Sequence, residues 1–98
     1  MISKTGIKPE VIDQIRFLAK KYDVKRVILF GSRARGDFYP KSDIDLAAEG
    51  GDIVRFSLDV DEDTSTLLEY DIIDLGKNIQ SSLRETIQKE GILLYEKV

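Results

Sequence analysis

The stretch "LFGSRARGDFYPKSDIDLA" (residues 29–47) links two runs, "KRVILF" (25–30) and "SDIDLAA" (42–48), whose β-rich or alternating patterns predict two strands. Between them stands a Gly-Ser pair at residues 31–32, and an Asp-x-Asp pair begins eleven residues after the serine. A loop that only reversed the chain would need far fewer constraints. The stretch is therefore expected to carry a function as well as to connect two strands.

Helices and strands alternate around this stretch. "YDIIDL" (70–75) and "ILLYE" (92–96) predict a third strand and a fourth, edge strand, while "IQSSLRETIQKEG" (79–91) repeats apolar residues every four positions as a helix does. Residues 9–22 predict another helix. Its apolar face is formed by Val11, Ile12, Ile15, Leu18, Ala19 and Tyr22.

The segment 52–64 fits two patterns. Alternation as in a strand is shown by Val54, Phe56, Leu58 and Val60, whereas one helical face is formed by Ile53, Phe56 and Val60. A helix keeps the order of strands and helices alternating, so a helix is predicted here. The predicted fold class is α/β (α+β), a small mixed β-sheet of three to four strands covered by helices.

Composition limits the chemistry of the chain. Its 98 residues predict a single domain spanning 1–98, and a net charge of −3 argues against direct, non-specific nucleic-acid binding. There is no cysteine and no histidine, so any general base or metal ligand is expected to be a carboxylate, and any metal a hard cation bound by oxygen. The absence of a long apolar stretch predicts no membrane association, and a cytoplasmic location is expected.

Asp43 and Asp45 lie two apart on a predicted strand, so their side chains leave the same face. Two carboxylates this close repel each other unless a cation lies between them. Gly31 and Ser32 stand at a strand-to-helix junction, where free backbone N–H groups bind anions. Each feature alone also fits a plain structural role, as solvated aspartates or a tight turn. Together they predict a phosphate cradle that faces a Mg²⁺ site.

Two other motifs fail at essential positions. "GSRARGDF" (31–38) opens like a P-loop, but Asp37 and Phe38 stand where Lys and Ser/Thr are needed. "DVDEDTSTLLEY" (59–70) begins like a calcium loop, but Thr64 replaces the turn glycine and Tyr70 the last glutamate. The acidic run is therefore read as a solvated face.

The pattern resembles the minimal nucleotidyltransferases of the DNA polymerase beta-like superfamily. An apolar residue followed by Gly-Ser occupies 30–32, and acid–apolar–acid–apolar occupies 43–46, with ten residues between the two motifs. The family's third acid, on a later strand, corresponds to Asp71 of "YDIIDL". The resemblance covers roughly residues 8–98 and implies the nucleotidyltransferase fold.

The resemblance implies a mechanism and a set of site residues. Gly31 and Ser32 would hold the triphosphate of ATP, with Arg33 and Arg35 as further candidates for contact with phosphate oxygens. The catalytic carboxylates Asp43, Asp45 and Asp71 would bind two Mg²⁺ ions, and Asp71 would also help to deprotonate the acceptor.

Family likeness also suggests a partner. Small members are often encoded beside a helical HEPN-type protein, which implies the antitoxin half of a toxin–antitoxin pair and transfer of AMP to a hydroxyl of that partner. A non-catalytic nucleotide-binding module that neutralises its partner is the main alternative, and a nucleotide-sensing regulatory domain is a third. Base preference, acceptor and any homo-oligomer stay open at this point.

Overall fold

The computed structural model describes residues 4–98. Its elements follow the predicted order, with one short additional helix after the Gly-Ser turn. They are α1 (Pro9–Lys21), β1 (Arg26–Phe30), α2 (Ser32–Arg35), β2 (Ile44–Glu49), α3 (Ile53–Asp63), β3 (Tyr70–Asp74), α4 (Ser81–Glu90) and β4 (Ile92–Glu96). The predicted fold class, a small mixed sheet covered by helices, is confirmed.

The four strands form one sheet in the order β3-β2-β1-β4. β1 is antiparallel to both β2 and β4, whereas β2 and β3 are parallel. Since β2 and β3 run in the same direction, both strands begin at the same edge of the sheet, which is also where β1 ends. This edge carries the Gly-Ser turn and the start of the Asp-x-Asp motif.

Alternating side chains of β1 and β2 divide the core between the two faces of the sheet. Leu29 and Leu46 belong to the larger cluster, which α1 and α3 cover. Phe30 and Ala47, one position further on, belong to a smaller cluster that α4 covers through Ile87. This alternation follows from the two-residue period of a strand. Asp45 therefore leaves the sheet on the same face as Ala47.

The predicted helix in segment 52–64 is confirmed as α3. Phe56 and Val60, four residues apart, are fully buried, while Val54 and Leu58 are 70% and 56% exposed. Two of the four alternating apolar residues thus face the core and two face solvent, as a helical period requires. Asp52 caps the helix by accepting the Arg55 amide at 3.2 Å. Among residues 4–98, no helix is long and apolar enough to cross a membrane.

Candidate active site

The parallel pairing of β2 with β3 brings two of the predicted carboxylates side by side. Asp45 of β2 and Asp71 of β3 are register partners. Side chains of register partners on adjacent strands leave the same face, so both carboxylates project from one side of the sheet near its edge. Asp71 is exposed and Asp45 half-buried.

Asp43 lies one residue before β2 and is exposed. The pKa of Asp45 is raised above its ordinary value of 3.8, first by burial and then by the negative charges of Asp71 and Asp43, with Arg35 opposing them. The charges of Asp71 and Asp43 thus both act on Asp45. Negative charges therefore lie close together around the half-buried Asp45. A cation bound there would offset their repulsion.

Asp74 lies three residues beyond Asp71 and takes a different role. It pairs with Ala48 of β2, one of the residues of the larger core, and therefore stands on the opposite face from Asp71. Its carboxylate accepts the Gly76 amide at 2.8 Å in the turn that follows β3. Asp71, and not Asp74, is therefore the residue that lies beside Asp45 on the same face of the sheet.

Gly31 joins β1 to α2 and packs against Asp45. Its φ is +76°, a left-handed value that favours glycine. A Cβ at this position would lie 2.2 Å from Oδ2 of Asp45, so no larger residue fits without a shift. The first intrahelical donors are Ala34 and Arg35, whose amides bond the Gly31 carbonyl at 3.1 Å. The preceding amides of Ser32 and Arg33 are those that a helix start leaves available to an acceptor.

Arg33 does not face the predicted phosphate position. Its side chain is 2% exposed, and its guanidinium nitrogens donate to the backbone carbonyls of Thr5, Pro40 and Ser42 at 2.9–3.1 Å. Phe38 covers the group, with 4.7 Å between Cζ and the ring centroid. The expectation that Arg33 contacts phosphate oxygens therefore does not describe this geometry, since a phosphate would have to break bonds that already use the donors.

Arg35, two residues further along, is the exposed cation of α2. It forms ion pairs with Asp37 at 3.1 Å and with Glu90 at 3.2 Å, and these bonds raise the pKa of its guanidinium. Its charge also acts on Asp45, so it lies near the carboxylates. The contact of Arg35 with Glu90, at the end of α4, could not be predicted from the sequence. The two residues are 55 positions apart, and no motif links them.

The donor set fits Mg²⁺ bound together with a substrate. Asp43, Asp45 and Asp71 offer hard oxygen ligands, and the Gly31 turn lies against one of them. Within residues 4–98, however, no three acidic side chains lie close enough to hold a metal ion by themselves. Because Mg²⁺ usually takes one or two carboxylates plus substrate phosphates, an ion here would need oxygens from the nucleotide.

Carboxylates that can bind Mg²⁺ beside a turn with free amides define a site suited to chemistry on phosphate groups. The chain belongs to the family described as "Polymerase beta, Nucleotidyltransferase", whose model matches residues 13–98. The predicted family and the predicted class of enzyme, a nucleotidyltransferase, are confirmed.

Known relatives agree with this assignment. A Methanocaldococcus jannaschii protein, named as a candidate protein adenylyltransferase, is 35% identical, and the match covers 83% of this chain and 90% of the relative. The crystal structure of a toxin–antitoxin with AMP-PNP superposes with a TM-score of 0.70 at 21% identity, over 88% of this chain and 73% of that one. A mutant of the MntA-HpeT toxin–antitoxin superposes with a TM-score of 0.68 at 18% identity, over the same shares. The two structures establish the fold.

Proposed function

We propose that this chain transfers AMP from ATP to a hydroxyl group of a HEPN-type partner protein in the cytoplasm, in a Mg²⁺-dependent reaction, as the antitoxin of a toxin–antitoxin pair. The observation that carries the proposal is the pairing of Asp45 with Asp71 across parallel strands, with Gly31 packed against Asp45. This arrangement supports the proposal because a turn with free backbone amides could bind phosphate beside a carboxylate pair that could bind metal. Transfer of a nucleotide requires both a group that positions the phosphates and charges that stabilise the transition state.

Asp43, Asp45 and Asp71, together with phosphate oxygens of the nucleotide, would hold two Mg²⁺ ions, which when bound supply positive charge to the phosphate groups. The amides of Ser32 and Arg33 would bind phosphate oxygens, and Arg35 would add a mobile positive charge at the exposed side. In the transfer, the acceptor hydroxyl oxygen forms a bond to the α-phosphorus while the bond to pyrophosphate breaks. The hydroxyl proton would pass to Asp71, which is exposed and stands beside Asp45 in the strand register.

Relatives support the choice of nucleotide, acceptor and partner. One relative carries the name of a candidate protein adenylyltransferase. Toxin–antitoxin proteins share the fold, and one of their structures contains AMP-PNP. Residues 4–98 use their helices to cover the two faces of one sheet, so the acceptor would be oriented by the partner itself. Orientation lowers a barrier by several kcal/mol, and we therefore expect the isolated chain to be slow on small acceptors.

The test is transfer of label from α-labelled ATP in the presence of Mg²⁺, with and without the protein encoded beside this chain. We expect label on the partner and release of pyrophosphate with the wild-type chain. Asp45→Asn should transfer about 100-fold less label or none, because it loses a metal ligand.

A partner that binds the wild-type chain tightly but gains no label would contradict the proposal. That result would favour the alternative, in which a nucleotide-binding module neutralises its partner by binding alone. Rapid transfer to a free small alcohol by the isolated chain would contradict the protein acceptor, though not nucleotidyl transfer.

A further inference from the structure

Arg33 is the largest fully buried side chain among the described residues. Its Nε donates to the Ser42 carbonyl at 3.0 Å, Nη1 to the Thr5 carbonyl at 2.9 Å and Nη2 to the Pro40 carbonyl at 3.1 Å. Burying a charge is unfavourable unless hydrogen bonds replace its water shell. The three carbonyls supply these hydrogen bonds to the planar guanidinium. A lysine could not replace it, because an ammonium group does not present donors in the same planar arrangement.

Two of the three bonded carbonyls, those of Pro40 and Ser42, lie in the turn that leads into the candidate site. Ser42 immediately precedes Asp43, and Pro40 lies in the same turn, in which the Ser42 amide donates to the Tyr39 carbonyl at 3.0 Å. Arg33 itself follows the Gly31–Ser32 turn by one residue. One side chain thus joins the phosphate-binding end of α2 to the residue that leads into the first carboxylate.

Asp43 needs such a constraint more than Asp45 does. Asp45 lies within β2, where pairing with Phe30 and Asp71 determines its position. Asp43 lies outside the strand and is exposed, so the sheet ladder does not hold it directly. The Arg33 bond to the Ser42 carbonyl acts on the peptide unit that joins Ser42 to Asp43.

Packing around the guanidinium supports a structural contact at this point. Phe38 stacks on it, and Gly6 approaches so closely that a Cβ there would lie 2.5 Å from the Phe38 ring and 2.8 Å from Nη1 of Arg33. The guanidinium is therefore packed closely against Phe38 and Gly6. A phosphate bound at the Gly31–Ser32 turn would meet the backbone of Arg33 and not its charge.

From these contacts we infer that Arg33 is a positioning residue, which holds Asp43 in place relative to the Gly31–Ser32 turn through the carbonyls of Pro40 and Ser42. This inference rests on the proposed function for its catalytic consequence. The structural part, that Arg33 orders residues 39–43, stands separately and is measured separately below.

The experiment compares Arg33→Met and Arg33→Lys with Arg16→Met as a matched control. Arg16 also donates to a backbone carbonyl, that of Leu94 at 2.7 Å, but it does so between α1 and β4, away from the carboxylates. Amide hydrogen exchange of Tyr39 and Ser42 is followed without nucleotide. We expect about tenfold faster exchange at these amides in both Arg33 variants, and no change there in Arg16→Met.

Kinetics with ATP and the partner protein give the second readout. Both Arg33 variants should lower kcat about 100-fold, because displacing a catalytic carboxylate by about 1 Å can reduce the rate by that factor. Both should also need a higher Mg²⁺ concentration for half-maximal rate. The KM for ATP should change by no more than about threefold, since no phosphate contact is lost. Arg16→Met should keep kcat, KM and the Mg²⁺ requirement even if it lowers thermal stability.

Two results would overturn the inference. One is a raised KM for ATP in Arg33→Met that Arg33→Lys restores, because a lysine replaces a phosphate contact but not a three-carbonyl fork. The other is unchanged exchange at Tyr39 and Ser42. If Arg33→Met does not fold, Phe38→Leu replaces it, since loss of the stacked ring should loosen the same amides without removing a donor. If the wild-type chain transfers no AMP, the proposed function fails while the exchange data still decide whether Arg33 orders residues 39–43.

Discussion

At the scale of single residues, two arginines of α2 show how position decides the use of one side chain. Arg33 is buried among backbone carbonyls, whereas Arg35 is 42% exposed and paired with two carboxylates. Both were candidates for phosphate contact because both follow the Gly-Ser turn. Exposure favours Arg35 over Arg33 for the proposed phosphate contact. An arriving phosphate would compete with Asp37 and Glu90 for its donors.

Asp71 and Asp74 offer a matched pair of substitutions on one strand. Asp71→Asn should lower AMP transfer about 100-fold or more, because it removes a carboxylate that acts on Asp45. Asp74→Asn should retain the wild-type rate, since Asp74 stands on the other face and an asparagine oxygen can still accept the Gly76 amide. Rates are compared at saturating ATP with the partner present. Loss of transfer in Asp74→Asn alone would reverse the assignment of the third carboxylate.

Asp45 should make folding stability depend on pH. Burial and the charges of Asp71 and Asp43 raise its pKa above 3.8, so in the interval between 3.8 and the raised value the folded protein holds a proton that the unfolded chain has released. The free energy of unfolding contributed by this group therefore falls as pH rises through that interval. The Asp45→Asn variant should not show this decrease in the free energy of unfolding, because asparagine does not titrate.

Urea unfolding without Mg²⁺ at a series of pH values checks this expectation. The stability of Asp45→Asn relative to wild type should increase from pH 3.8 upward and level off above the raised pKa. Addition of Mg²⁺ and ATP at neutral pH should stabilise the wild type more than the variant. A stability difference that stays constant with pH would contradict the raised pKa.

At the scale of elements, short segments owe their form to a few tertiary contacts. α2 has only four residues and is bounded by two glycines with positive φ, Gly31 at +76° and Gly36 at +95°. A Cβ added at Gly31 would collide with Asp45, whereas one added at Gly36 would have no atom within 4 Å. Both turns need a left-handed residue, but only one is also a close contact of the candidate site.

Gly31→Ala and Gly36→Ala separate these two effects. Gly36→Ala should lower stability by about 1 kcal/mol, because alanine is strained at positive φ. Gly31→Ala should lower it by more, in total about 2–3 kcal/mol, and should reduce AMP transfer by displacing Asp45. Thermal unfolding and transfer assays measure the two quantities. Equal losses of stability in both variants, with full activity in Gly31→Ala, would contradict this prediction. They would mean that Asp45 can move away from the added Cβ with no effect on stability or transfer.

At the scale of the whole molecule, one sheet serves both hydrophobic clusters. β1 supplies Leu29 to the larger cluster and Phe30 to the smaller, and β2 supplies Leu46 and Ala47 in the same way. Neither cluster can lose its strands without exposing the other. The candidate site lies at the edge where β1 ends and β2 and β3 begin, so its geometry depends on the integrity of the whole sheet.

The shared sheet predicts a single cooperative unfolding transition, which would also test the expectation of a single domain. Urea unfolding followed by far-UV circular dichroism and by tyrosine fluorescence should give coincident curves, with a slope of about 1–3 kcal/mol per molar urea. Leu29→Ala and Ile87→Ala, one in each cluster, should both move the midpoint of the whole transition. Two separate transitions would mean that α4 and its cluster unfold independently.

Sequence patterns alone determined what depends on neighbouring residues: the helical face of α1 and the turn at Gly31 and Ser32. They also carried the family, because its two motifs are short and local. Only the tertiary structure decided what depends on distant partners. Asp71 stands with Asp45 because β2 and β3 pair in parallel register, and Arg33 is buried because the Thr5 carbonyl, 28 residues away, reaches it. Strand register and loop packing are set by contacts across the chain, and residue spacing does not encode them.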